Sequence, residues 1–338
     1  MPKQPGIQLL RALAAIMVLI GHVLAEAEHY FSTTLPFSNF PWSRGVDIFF
    51  VISGFIITLS AQRLQTQPDA ARRFLWRRFI RVAPLYYLFT TLMIVALVLV
   101  PGGAKDTQFD LGQIVSSYLF WPYERYDGRL APVLSLGWTL NYEMFFYLIF
   151  AAALALPKRV GSLAVVGFIS FLSAVGVIFS PEFTPVAFWT NPTMMAFAYG
   201  VLIARADLAG IGPKRGGLLV LMVGVAALMI LNTDSMSLPR FISSGIPAAI
   251  IVSAPVLFSR QGGGPRLGLL LGDASYALYL SHRFVLRLAT LLLLPYLPST
   301  ETAAWVFVSL VSLAALVVSL GVYRWIEEPM LRAMRPAS

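Results

Sequence analysis

An ionisable side chain inside a long apolar run is costly to keep in lipid, so each one marks a candidate site. Arg11 and His22 stand 11 residues apart in the first such run. That is close to three helical turns, so the two share a face, about 16 Å apart along the axis. The spacing suits a long ligand with its anionic end at Arg11 and its reactive end at His22. The plainer reading is a snorkelling arginine and a histidine that hydrogen-bonds a neighbouring helix. Asp47 opens the next run, GVDIFFVISGF (45–55), from the opposite side, at about the depth of His22. A carboxylate bonded to imidazole fixes its tautomer and raises its basicity, the usual support of a general base. Ser53 and Gly54 in the same run read as close helix packing.

Arg72, Arg73, Arg77, Arg78 and Arg81 precede or begin the third run. Arg78 and Arg81, three apart, share a helical face and could clamp phosphates. The alternative is topology setting and contact with anionic lipid. The fourth run, LGWTLNYEMFFY (136–147), puts Glu143 near mid-membrane beside Asn141 and Tyr142. A buried carboxylate needs a partner or water, so Glu143 is either a site residue or a structural bridge. In the ninth run, GDASYALYLSH (272–282), Ser275, Tyr279 and His282 recur at helical spacing and form a polar face. His29 reads as solvated in the first outer loop. Cysteine is absent, which removes thiolate nucleophiles and thiolate metal sites. Two histidines on separate helices do not make a metal site, and no metal is expected.

The elements that must position these residues are membrane helices. The chain has 338 residues, 58% hydrophobic and 12% charged, with mean hydropathy +0.75; soluble domains carry about 25% charged residues. Runs of about 20 apolar residues predict spans at 7–26, 45–61, 79–100, 133–156, 160–180, 188–204, 217–232, 241–259, 270–294 and 303–325. The spans at 188–204 and 217–232 are short or interrupted. The piece 111–121 is too short to span, and lies in the interface or re-enters. The expected architecture is all-α and polytopic, one membrane domain over 1–338 with no appended soluble domain. With the N-terminus inside, 18 of the 25 Lys and Arg fall on the cytoplasmic side, five outside, and Arg283 and Arg287 within the ninth helix. That bias places both termini in the cytoplasm. The net charge of +9 is loop charge, scattered between spans, and does not point to nucleic acid. Lys3, the first apolar run and Ala25-Glu26-Ala27 loosely imitate a cleavable signal, but Glu26 fills the middle of that cleavage site.

Six pieces together resemble the acyltransferase-3 family of bacterial membrane O-acyltransferases: LLRALAAIMVLIGH (9–22), GVDIFFVISGFIIT (45–58), RRFIRVAPLYY (77–87), SLGWTLNYEMFFY (135–147), GDASYALYLSH (272–282) and YRWIEEP (323–329). They run in family order over nearly the whole chain. The N-terminal stretch is most similar to the exopolysaccharide-production branch. The resemblance implies about ten helices in the bacterial inner membrane. It also implies a cytoplasmic acyl-CoA donor, with acetyl as the default group. The acceptor would be a hydroxyl on a cell-surface or exported polysaccharide or its lipid-linked precursor. By motif position His22 is the expected base, oriented by Asp47. Arg11, Arg78 and Arg81 would hold the CoA phosphates, and Glu143 would serve at the reacting centre. Tyr279 and His282 match a family motif of unassigned role.

In this scheme a sugar hydroxyl gives its proton to His22 and attacks the thioester, with Tyr142, Asn141 or His282 facing the developing charge. A covalent acyl-histidine is the chemical alternative. Expected partners are acyl-CoA, a carbohydrate, the bilayer and polysaccharide-synthesis machinery. The rival class is a transporter or flippase of a polysaccharide precursor, since midplane charges also mark transport paths. Against it, the chain shows no internal repeat and no matched broken helices. A second rival, a non-catalytic partner of a polysaccharide synthase, has no need of His22 and Asp47 together.

Overall fold

A computed structural model describes residues 4–65, 67–99, 109–233, 236–258 and 263–334. Among these the α-helices are α1 Pro5–Phe31, α2 Gly45–Leu64, α3 Ala70–Leu99, α4 Leu111–Tyr118, α5 Trp138–Ala153, α6 Lys158–Phe179, α7 Thr184–Trp189, α8 Met195–Leu208, α9 Gly217–Leu231, α10 Ile246–Leu257, α11 Arg266–Asp273, α12 Ser275–Leu293, α13 Glu301–Val322 and α14 Glu328–Met334. Extended pairing among the described residues is confined to one isolated bridge, Glu124 with Leu130. Wide π turns, Phe241–Gly245 and Tyr323–Glu327, lead into α10 and α14.

Among the described residues, seven helical stretches are long and apolar enough to cross a membrane, and Gly217–Leu231 and Phe241–Leu257 are shorter apolar helices. Outward faces carry large apolar side chains, such as Leu218 and Leu219 on α9 and Leu313 and Val317 on α13. Water would not tolerate such a surface, and lipid does. The protein is an all-α polytopic membrane protein.

Each predicted span falls on a helix, with shifted edges. The third begins at Ala70 rather than 79, so the arginine cluster is helical. The ninth is two helices, broken at Ala274 between α11 and α12. The sixth is interrupted at Thr190 and Asn191, where α7 gives way to a 3-10 turn before α8. The 111–121 piece is α4, a short helix capped by Asp110, whose carboxylate accepts from the Gly112 and Gln113 amides; such a cap satisfies two otherwise orphaned donors. The predicted ends at 100 and 259, and the loop charges Lys3, Lys105, Arg260 and Arg335, lie outside the described residues.

The chain forms two compact units. The first is Met1–Ile52, Gly210–Leu238 and Ile242–Pro329. Here α1 packs against α10, α11, α12 and α13, and α12 against α13. Leu19, Val23, Ala27, Ala304, Phe307 and Val311 form its buried centre. Small residues let backbones close up where no water drives association: a side chain at Gly272 on α11 would strike the Gln8 backbone of α1. The second unit is Ser53–Ala209, Pro239–Phe241 and Met330–Ser338. In it α5 packs against α3 and α6, and α6 against α8. Phe146 and Phe197, both fully buried, stack at 4.6 Å. Gly54 of α2 abuts the Phe197 backbone, where a Cβ has no room, the close packing that its type predicts.

Candidate active site

In the first unit His22 sits on α1 and His282 on α12. His22 Nδ1 lies 3.1 Å from His282 Nε2, and the rings are 5.1 Å apart and tilted by 32°. His282 is fully buried, and its Nδ1 lies 2.9 Å from the Leu278 carbonyl oxygen one turn back. His22 is half-buried. The Tyr279 ring stands 6.3 Å from that of His282 and 6.3 Å from Phe49. Asp47 is buried in the first turn of α2. The sequence offers Asp47 as the partner of His22; the ring partner found on Nδ1 is His282. Arg11, near the start of α1, bonds the Gln8 amide oxygen at 3.3 Å, and Gln8 Nε2 donates to Asp273 at 3.0 Å. A relay of arginine, amide and carboxylate therefore ties α1 to the end of α11. Neither Gln8 nor Asp273 stands out in sequence, because each lies at the edge of an apolar run.

In the second unit the polar cluster is built around Glu143 of α5. Its Oε1 accepts from Ser53 Oγ at 2.7 Å and from Tyr147 Oη at 2.5 Å. Arg78 of α3 donates to Ser60 of α2, its guanidinium lies 5.7 Å from the Phe74 ring centre, and Glu143, Tyr147 and Arg81 are electrostatic neighbours. The predicted Arg78 and Arg81 pair is thus gathered with Glu143, which the sequence places only by depth. Ser53 does more than pack: it binds the carboxylate. Tyr147 has a legible signal, one turn after Glu143 on the same face. Ser60 has none, since it meets Arg78 across helices. Tyr142 stacks on Phe188 at 3.9 Å. Asn141 is buried, and its Oδ1 has no hydrogen-bond partner among the described residues.

Chemically the two clusters differ. An imidazole pair can take up and pass a proton. A carboxylate held by two hydroxyls, with a guanidinium close by, can fix a positive group for an anion.

The sequence profile of an acyltransferase domain matches residues 4–324. The chain belongs to the acyltransferase-3 family. It is 29% identical to the exopolysaccharide production protein ExoZ of Rhizobium meliloti (strain 1021), over 94% of this chain and 96% of that protein. The acyltransferase MdmB of Streptomyces mycarofaciens is 26% identical, over 98% of this chain and 92% of its own length. The peptidoglycan O-acetyltransferase OatA of Listeria monocytogenes is 26% identical, over 96% of this chain and 55% of its own length. No solved structure matches. Membership makes this an acyltransferase that requires an acyl donor.

Proposed function

We propose that this family member moves an acyl group, acetyl by default, from cytoplasmic acyl-CoA to a hydroxyl of an exported polysaccharide or its lipid-linked precursor, in the bacterial inner membrane. The activities of relatives support the acceptor class: one serves exopolysaccharide production and another O-acetylates peptidoglycan. The observation that carries the reading is the imidazole pair of α1 and α12 in a chain of this family.

His22 is the base. It removes the hydroxyl proton as the oxygen bonds the thioester carbonyl carbon. The carbon–sulfur bond then breaks, and the CoA thiolate takes that proton from the imidazolium. Asp47 supports the imidazolium as a buried carboxylate. Arg11, Arg78 and Arg81 are the donor's phosphate ligands. Glu143 serves the reaction through Arg78 and Tyr147. Tyr279, Asn141 and Tyr142 face the acceptor side, and the oxyanion takes its donors from Asn141 and Tyr142. Ten spans leave both termini in the cytoplasm, within one membrane domain, beside polysaccharide-synthesis machinery.

The test is the thermal stability of the detergent-purified protein with and without CoA, for wild type and for Arg78→Ala with Arg81→Ala. A ligand that binds only the native state raises apparent stability by mass action. A saturable rise in wild type that weakens in the double variant is expected. No rise in folded wild type overturns the acyl-CoA reading and favours a transporter or flippase.

A further inference from the structure

Neutral imidazole carries one N–H and one lone pair, and its partners decide which nitrogen has which. A carbonyl oxygen only accepts. The Leu278 carbonyl, 2.9 Å from His282 Nδ1, therefore fixes the proton of His282 on Nδ1. The lone pair of that ring is left on Nε2. This nitrogen lies 3.1 Å from Nδ1 of His22, a distance at which two lone pairs repel and an N–H donating to a lone pair binds. So Nδ1 of His22 carries the hydrogen. The Val18 carbonyl, one turn back on α1, is a neighbouring acceptor of the His22 ring. The only nitrogen left with an open lone pair is Nε2 of His22, on a ring that is half-buried while its partner is closed off.

We propose that His282 is a positioning residue that sets the tautomer of His22, so that Nε2 is the basic nitrogen. This rests on the reading of His22 as the base. When Nε2 takes up the substrate proton, the imidazolium keeps Nδ1–H directed at Nε2 of His282, a charge-assisted bond stronger than the neutral one.

The chain has only three histidines, which makes ¹⁵N-histidine spectroscopy of the intact detergent-solubilised protein tractable. His22 is assigned by the resonances lost in His22→Gln. Wild type is expected to show His22 with Nδ1 protonated and Nε2 unprotonated. His282→Gln, whose amide oxygen can still accept from Nδ1–H, keeps that pattern. His282→Leu shifts His22 toward the Nε2–H form. A wild-type His22 protonated on Nε2 overturns the proposal. A folded His282→Leu protein with an unchanged His22 signature overturns it too, since His282 would then not set the tautomer. Should His282→Leu fail to fold, the wild-type spectrum still decides. CoA-dependent stabilisation is measured on the same samples: its absence defeats the acyl-CoA reading and leaves the tautomer result standing. A wrong tautomer with stabilisation intact defeats only this inference.

Discussion

The two units hold polar clusters of opposite design. In the first, two imidazoles meet nitrogen to nitrogen at 3.1 Å, and the buried one is backed by a carbonyl of its own helix. In the second, a carboxylate gathers two hydroxyls, with a guanidinium among its neighbours. The first arrangement can exchange a proton at little structural cost. The second is a closed network, in which each member holds another in place. Chemistry and positioning are thus separable, and variants can show it: changes in the first cluster should act on turnover, and changes in the second on stability and donor binding.

The largest effect is expected from His22→Ala, which removes the base. General base catalysis contributes about 10²–10⁴-fold, so acyl transfer from labelled acetyl-CoA in isolated membranes should fall by that factor while insertion and CoA stabilisation persist. Normal transfer by this variant would sink the scheme. Next is His282→Leu, expected to lower kcat about 100-fold at unchanged KM, with His282→Gln within about tenfold of wild type. If His282 merely fills space, leucine should be the milder change. Glu143→Ala attacks the other cluster. It leaves the hydroxyls of Ser53 and Tyr147 without their acceptor and should cost about 2 kcal/mol, seen as a lower Tm and weaker CoA stabilisation. An unchanged Tm would erase the contrast between the clusters. Gly54→Ala presses a methyl onto the Phe197 backbone and should cost about 1–2 kcal/mol by overpacking, with kcat nearly untouched.

The smallest effect lies in the outer loop. The hydrogen bond from Arg129 holds the Asp127 carboxyl down at about 2. Because the folded value is depressed, its contribution is present above the ordinary carboxylate range and is lost as pH falls through about 2. Asp127→Asn takes the carboxylate from exposed Arg129 and also from the buried guanidinium of Arg125, 3.4 Å away, so it should lower the Tm at neutral pH slightly while leaving turnover unchanged. A loss of turnover would show that the loop takes part in the reaction.

Most of the helical plan is legible because lipid imposes long apolar runs, and each predicted span falls on a helix. The breaks are less so. Ala274 interrupts a run with no glycine or proline at the break itself, and only Pro192 signals the interruption after α7. Expected depth is readable from the apolar runs, and it singles out His22, His282, Asp47 and Glu143. Neighbour identity is not, because many helix arrangements bring residues of equal depth together. Depth alone suggests Asp47 for His22 and does not reveal that His282 stands at Nδ1 of that ring. It also left Ser53 as a packing residue, although its hydroxyl binds Glu143. Arg78 was legible as a cation but not as a neighbour of that carboxylate.

The histidine pair joins residues 260 positions apart, on α1 and α12. At roughly 5–20 residues per second, the ribosome makes His22 on the order of tens of seconds before His282. During that interval the nascent chain has its first histidine in the membrane without its partner. Turnover that depends on both is therefore absent until the ribosome has made α12.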